Sequence, residues 1–151
     1  TNLSPSTIKK SLEVLRRRRV LAIFPDGGVS YNLLSRPKNG AVYLSAIGKA
    51  PIVPVGIYGA ERAWEGVLKG VRSRVNINIG KPFGPYTLNG TKDDKDKKLH
   101  AIGDEMMCRI ASLLPNNRQG PFSGHHKIKT YQRENGIVPS PQPFFKEMPE
   151  E

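Results

Sequence analysis

A short apolar run, residues 20–24, is followed at once by Pro-Asp-Gly-Gly. Apolar residues without a charge predict a short buried strand, and the proline and glycines predict a tight turn that ends it. A buried strand needs a sheet around it, so this segment constrains the fold more than any other part of the chain. The turn would bring the Asp26 carboxylate, the Ser30 hydroxyl and bare backbone N–H groups to one place. Such a strand end suits a phosphorylated or polyhydroxy ligand.

The turn at Asp26 also has a simpler interpretation. Asp-Gly and Gly-Gly are ordinary turn formers, so the same residues could serve only to reverse the chain. Arg36 and Lys38 favour the binding interpretation, because they follow closely enough to supply two cations to a phosphate.

A helix is predicted before this segment. Ser4 and Pro5 indicate its start, because serine caps helices well and proline suits the first helical position. Ile8, Leu12 and Leu15 then follow at spacings of four and three, which gives the helix one apolar face.

The rest of the chain alternates between predicted strands and helices. Residues 40–47 predict a short helix of small residues, and residues 51–57 and 74–79 predict strands. A strong helical period ends before Pro115. Its apolar positions are Leu99, Ile102, Met106, Ile110 and Leu113. This order predicts an α/β fold, in which a mixed sheet with parallel pairing is flanked by helices.

The length of 151 residues is enough for one domain, which we predict over residues 1–122. Residues 91–98 are highly charged and predict a solvated linker. Residues 123–151 show no period that could build an element, and they predict a disordered, basic and proline-rich tail. Because the first residue is Thr1 and not methionine, we expect a fragment that is incomplete at its N-terminus.

Lysine and arginine outnumber the acidic residues by 24 to 13, which gives a formal charge of +11. This charge attracts anionic partners, and phospholipid headgroups, phosphorylated substrates and nucleic acid all qualify. The arginines at residues 16–19 are either a solvated helix end or a contact with anionic lipid. A basic nucleic-acid-binding module is the alternative, although the chain lacks an aromatic platform and a recognition-helix motif. The sequence contains no run of about 18 apolar residues, so no transmembrane helix is predicted within it.

Other reactive side chains have structural explanations. His100 and Asp104 would share one helix face, but that helix carries a full apolar stripe and is interpreted as structural. His125 and His126 lack a third ligand, so no metal site is predicted there. Cys108 is the single cysteine, which excludes an internal disulfide, and we predict that it is a small core residue.

Five sequence blocks carry a more specific signal. Residues 24–30 are Phe-Pro-Asp-Gly-Gly-Val-Ser, residues 37–41 are Pro-Lys-Asn-Gly-Ala, and residues 50–55 are Ala-Pro-Ile-Val-Pro-Val. Residues 79–82 are Ile-Gly-Lys-Pro, and residues 106–115, followed by Arg118-Gln119-Gly120, complete the series. In this order they resemble the Phe-Pro-Glu-Gly-Thr-Arg-Ser, Phe-Lys-x-Gly-Ala, Pro-Ile-Val-Pro-Val and Gly-Lys-Pro motifs and the closing helix of the 1-acyl-glycerol-3-phosphate (lysophosphatidate) acyltransferase family.

The resemblance covers about residues 4–122 and implies a glycerolipid acyltransferase-like fold. It implies transfer of a fatty acyl group from a thioester, on coenzyme A or acyl carrier protein, to the hydroxyl of a lysophospholipid, with no further cofactor. In that family the His of a His-x4-Asp motif takes the proton from the hydroxyl. The motif is absent from this sequence, so no catalytic residue is expected here. The resemblance therefore implies the C-terminal, acceptor-binding half of an enzyme, and this fragment alone is expected to be inactive.

The resemblance assigns substrate-binding roles to a set of residues around the turn. They are Pro25, Asp26, Gly27, Gly28, Ser30, Arg36, Lys38, Val53 and Pro54. Asp26 replaces the family's glutamate, and Val29 replaces an arginine implied to bind the acceptor phosphate, so we expect Arg36 and Lys38 to compensate.

The expected partners are a lysophospholipid acceptor, an acyl donor and an anionic membrane surface, with no nucleic acid. The expected location is peripheral, on the cytoplasmic face of a membrane, or anchored there by a missing N-terminal part. A non-catalytic relative that only binds lipid remains a further alternative.

Overall fold

The computed structural model describes residues 4–27, 33–60, 70 and 74–140. In chain order its elements are α1 (Pro5–Arg16), α2 (Gly40–Gly48), β1 (Val55–Tyr58), β2 (Asn76–Ile79), α3 (Lys92–Ala111), 3₁₀ turns at Asn116–Arg118 and Gly120–Phe122, and α4 (Ile128–Asn135). This mixture of helices and strands is compatible with the predicted α/β class. Within these ranges, no helix combines the length and apolar composition needed to cross a bilayer.

The first two predicted helices are confirmed. At the start of α1, the Ser4 side chain accepts a hydrogen bond from the Thr7 backbone N–H at 3.2 Å. Helix α2 packs against α1, and a Cβ atom at Gly48 would lie only 2.7 Å from Leu15 Cδ1. The small residues of α2 therefore allow close contact with another helix.

Helix α3 begins earlier than predicted, because the charged residues 92–98 form its first two turns. Thr91 and Asp94 make a reciprocal capping box, in which Asp94 Oδ2 accepts a hydrogen bond from the Thr91 N–H at 3.0 Å. Hydrogen bonds from Thr91 lower the pKa of Asp94. The predicted linker is therefore wrong: a cap satisfies the first backbone groups of the helix, and the charged side chains lie in solvent.

The hydrophobic core lies on the second half of α3. Leu99, Ile102 and Met106 are buried, as the apolar period predicts. Further core residues on α3 are Met107, Cys108 and Ala111. Cys108 is thus a buried core residue, as predicted, and burial raises the pKa of its thiol.

Strands β1 and β2 pair antiparallel, with Val55 opposite Ile79 and Ile57 opposite Ile77. The prediction of parallel pairing is wrong for these strands. Each strand alternates between better-covered and exposed residues. Successive side chains of a strand point to opposite faces of the sheet, so one face is better covered than the other.

Strand β1 is also shorter than predicted. Pro54 has no N–H and interrupts the pattern, although its carbonyl oxygen accepts a hydrogen bond from the Gly80 N–H at 2.9 Å. Before Pro54, the pairing continues as one isolated bridge between Ile52 and Phe83. The regular strand therefore begins only after Pro54, and it ends at Tyr58, one residue later than predicted.

The apolar run at residues 20–24 is not a buried strand, so this prediction is wrong. Val20 and Phe24 are 92% and 79% exposed. Within the described ranges, no strand ladder includes this segment. An apolar run becomes a buried strand only where a neighbouring strand pairs with its backbone and a second layer covers its side chains.

The region predicted as a disordered tail contains helix α4. Ile128 and Tyr131 of this helix are buried in the core cluster. They are only one turn apart, which is too short a pattern to be detected as a period. Residues 141–151 of the predicted tail lie outside the described residues.

Helix α4 is connected to α3 through Arg109. The Arg109 guanidinium lies 4.3 Å from the Tyr131 ring centre and 4.7 Å from that of Phe83, and it pairs with Glu105 at 2.9 Å. The Tyr86 hydroxyl donates a hydrogen bond to the same carboxylate at 2.8 Å. Burial and this hydrogen bond raise the pKa of Tyr86 to about 12.

Replacing Tyr131 tests whether α4 is part of the folded unit. We expect Tyr131→Ala to lower the free energy of unfolding in urea by about 3 kcal/mol, since the change empties a buried aromatic site. Lys129→Ala, on the exposed side of the same helix, should change it by less than about 0.5 kcal/mol. Equal unfolding curves for the two variants would show that α4 does not contribute to the core.

Candidate functional site

The predicted tight turn is present at residues 25–27. The Gly27 N–H donates to the Phe24 carbonyl oxygen at 3.1 Å. Gly27 has a φ of +70°, a backbone conformation that glycine adopts without steric cost. The segment 20–27 therefore keeps its turn although it does not form a strand.

Lys38 lies directly against this turn. Its backbone N–H donates to the Pro25 carbonyl oxygen at 2.8 Å, and its Nζ lies 3.5 Å from the Gly27 carbonyl oxygen. A Cβ atom at Gly27 would collide with the end of the Lys38 side chain. The structure thus brings a cation to the turn, across ten intervening residues.

The other predicted site residues have different positions. Asp26 is half-buried in the turn, whereas Arg36 is exposed. Val53 is 49% exposed and Pro54 is buried, and both precede β1. Gly28 and Ser30 lie outside the described residues.

An open groove of about 760 Å³ runs beside the turn. Pro25, Gly27 and Lys38 line it, together with residues of α1, of the segment 21–24, of α2 and of α3. Asp26, Arg36, Val53 and Pro54 are not among the lining residues. Three of the seven predicted site residues that the structure describes therefore line the same groove.

The groove has several apolar lining side chains and two charged lining residues, Lys38 and Asp96. Its apolar side chains include Ile8, Ile23 and Phe24. Lys38 lines it beside Gly40, the first residue of α2, and the N-terminus of a helix carries a partial positive charge. The groove can therefore receive a molecule that has an apolar chain and an anionic group.

The sequence did not indicate that α1 would line this groove. Thr7, Ile8 and Ser11 are lining residues, and Ser11 is buried. Tyr43 of α2 also lines it. Ser11 on an otherwise exposed helix surface has no distinct sequence signal, because its burial results from the packing of α1 on α2.

The histidines are not part of the groove. His100 and Asp104 are both exposed on α3, which agrees with the structural interpretation of that helix. The rings of His125 and His126 stack with centres 4.4 Å apart, and the Lys127 N–H donates to His125 Nδ1 at 3.3 Å. Across the described ranges, no cluster of three or more histidine, cysteine, aspartate or glutamate residues could hold a metal ion.

Comparison with curated proteins identifies relatives. A Bacillus subtilis (strain 168) protein named 1-acyl-sn-glycerol-3-phosphate acyltransferase is 33% identical over 112 residues, which are 74% of this chain and 53% of that protein. A Saccharomyces cerevisiae (strain ATCC 204508 / S288c) protein of the same name is 33% identical over 114 residues, 71% of this chain and 36% of that protein. This chain belongs to the 1-acyl-sn-glycerol-3-phosphate acyltransferase family.

Membership of this acyltransferase family confirms the resemblance of the sequence blocks. The chain spans about half the length of the bacterial relative and about a third of the yeast relative. No family model matches the chain, and no solved structure matches it.

Replacing Gly27 tests the contact between the turn and Lys38. We expect Gly27→Ala to displace the Lys38 ammonium group, because the added Cβ would occupy its position. The matched control is Gly124→Ala, since Gly124 has a similar φ of +76° but no atom within 4 Å of an added Cβ. Both changes should cost about 1–2 kcal/mol through backbone strain. Only Gly27→Ala should shift the side-chain NMR signals of Lys38, and unchanged signals would contradict the contact.

Proposed function

We propose that this chain supplies the acceptor-binding half of an enzyme of phospholipid synthesis. The enzyme would transfer a fatty acyl group from a thioester to the free hydroxyl of a lysophospholipid such as 1-acyl-glycerol-3-phosphate. The observation that carries the proposal is the position of Lys38, which lies against the Pro25–Gly27 turn in a groove with several apolar lining side chains. The names of the two curated relatives support the same reaction.

The groove has the two features that such an acceptor needs. Ile8, Ile23 and Phe24 offer apolar surface to the acyl chain that the acceptor already carries. Lys38 Nζ and the first N–H groups of α2 offer positive charge to its phosphate. The acceptor would then lie in the groove with its phosphate beside Lys38.

Lys38 accounts for a departure from the family motif. Val29 occupies the position of an arginine that the resemblance assigns to the acceptor phosphate, and Val29 lies outside the described residues. Lys38 supplies a positive charge at the same turn. Arg36 is two residues away and exposed, so it can add to the positive potential around the phosphate without lining the groove.

The reaction requires a general base that this sequence does not contain, since it has no His-x4-Asp motif. In the proposed reaction the acceptor oxygen forms a bond to the thioester carbonyl carbon, and the carbon–sulfur bond breaks. The proton of the hydroxyl passes through the base to the departing thiol. The donor is acyl coenzyme A or acyl carrier protein, and no further cofactor is proposed. The role of this chain is to hold the acceptor hydroxyl in position.

The proposed location is the cytoplasmic face of an anionic membrane, where the enzyme binds peripherally or through an anchor outside this chain. The exposed arginines at residues 16–19 support contact with anionic lipid, and the net charge of +11 adds long-range attraction. Val20 directly follows these arginines and is highly exposed, so an apolar side chain is available beside the basic cluster. The alternative of a nucleic-acid-binding module is not favoured, because the curated relatives are acyltransferases.

The proposal can be tested in a chimera in which this chain replaces the matched segment of the Bacillus subtilis relative. We expect the chimera to acylate lysophosphatidate. Lys38→Ala should reduce kcat/KM for the acceptor by about 10- to 100-fold, because a charge-assisted hydrogen bond of about 1.5–3 kcal/mol is lost. Asp26→Ala should also reduce turnover.

The control variant is Lys129→Ala, which removes an exposed lysine on α4 and should leave turnover unchanged. The KM for the acyl donor should stay constant in Lys38→Ala. Full turnover in both Asp26→Ala and Lys38→Ala would refute the assignment of this turn to the acceptor. A chimera that binds lysophosphatidate but does not acylate it would support the non-catalytic alternative.

A further inference from the structure

One face of the β1–β2 sheet is apolar and exposed. Six aliphatic side chains on and next to the two strands are between 39% and 61% exposed. They are Val53, Val55, Ile57, Val75, Ile77 and Ile79. We refer to these six side chains as the open sheet face.

The strand register places these side chains together. Val55 is opposite Ile79, and Ile57 is opposite Ile77, so the four form two adjacent cross-strand pairs. Val53 and Val75 continue the same alternation, at two residues before Val55 and Ile77. Side chains at alternate positions point to the same face of a sheet, so the six make one continuous apolar surface.

The opposite face of the sheet carries the polar residues. On this face, Gly56 lies so close to Leu113 that an added Cβ atom would be 2.8 Å from Leu113 Cβ. Asn78 on the neighbouring strand donates from Nδ2 to the Leu113 carbonyl oxygen at 2.9 Å. Asn76 and Asn78 are thus on the better-covered side, whereas the isoleucines between them are exposed. This is the reverse of the usual sheet with a core on one side, in which isoleucine faces the core and polar residues face water.

We propose that the open sheet face is an internal surface of the longer enzyme, covered by the part of the acyltransferase polypeptide that this chain does not match. This inference rests on the proposed function. The matched residues are only 53% of the bacterial relative, so about half of that protein has no counterpart here and is large enough to form a second layer.

The chemistry of the face indicates what covers it. All six side chains are branched aliphatic groups without charge or a polar atom, so the covering surface is an apolar protein layer of matching shape. A surface for anionic lipid carries lysine or arginine among its apolar groups. Neither strand contains a basic residue, although Arg74 and Lys81 are exposed just beyond the two ends of β2. The uncharged centre of the face therefore favours a protein layer, and a membrane is one outcome of the test.

The interface would also explain the position of Val53. The resemblance assigns Val53 to the substrate site, but it does not line the groove beside Lys38. On the open sheet face, Val53 would contact the covering layer. Its effect on substrates would then pass through the junction between the two halves of the enzyme.

Thiol labelling can test this inference, because the chain has a single cysteine and Cys108 is buried. The probe is Ile77→Cys, at a position that is 61% exposed in this chain. Its rate of reaction with a soluble thiol reagent is measured in the isolated chain and in the chimera, with cysteines of the relative's part replaced by serine. The matched control is Val138→Cys, at a position that is 81% exposed and lies outside both strands.

We expect Ile77→Cys to react at least tenfold more slowly in the chimera than in the isolated chain, with the control reacting equally in both. Equal rates for Ile77→Cys would overturn the inference. Protection of Ile77→Cys in the isolated chain that increases with protein concentration would also overturn it, because it indicates that a second copy covers the face. Protection of the isolated chain that requires vesicles of anionic phospholipid would overturn it as well, because it indicates that a membrane covers the face. A chimera that is protected at Ile77→Cys but inactive supports the interface and contradicts the proposed function. A chimera that is active but unprotected supports the proposed function and contradicts the interface.

Discussion

The packing of the second half of α3 organises the described part of the chain. Met106, Met107 and Ala111 are at most 2% exposed, and each buried side chain of methionine size stabilises the fold by about 1.5–3 kcal/mol. Helices α2 and α4 and strand β1 all contact α3. Arg109, between two aromatic rings, adds a polar connection from α3 to α4. Loss of this packing would release the surrounding elements together.

The position of Lys38 depends on the same packing through a series of backbone contacts. Buried Gln119 donates from Nε2 to the Ala111 and Leu114 carbonyl oxygens at 3.1 and 3.0 Å, which holds the chain after α3 in place. The next contact is from the Leu34 N–H to the Arg118 carbonyl oxygen at 3.2 Å. The segment that starts at Leu34 then leads to Lys38 and the turn. These contacts connect the segment that leads to Lys38 with the chain that follows α3.

The helices could be predicted from the sequence where one local signal was sufficient. Ser4 beside Pro5 located the start of α1, and the apolar period from Leu99 located the core face of α3. The predictions that were wrong concern properties that depend on contacts with distant parts of the chain. Residues 20–24 have strand composition but no pairing strand in the described ranges, and Tyr131 gains its burial from Arg109 and the core. The candidate site was predictable in part: the motif indicated Lys38, whereas the lining residues of α1 follow from helix packing.

The central claim is that the turn and Lys38 bind the phosphate end of a glycerolipid. The most direct measurement is a titration of the isolated chain with glycerol 3-phosphate, the headgroup of the proposed acceptor, followed by NMR of the backbone amides. We expect saturable shifts at Gly27, Lys38 and Gly40, with the amide of Gly124 unchanged. Shifts that are confined to the arginines at residues 16–19, or that occur equally with inorganic sulfate, would contradict it.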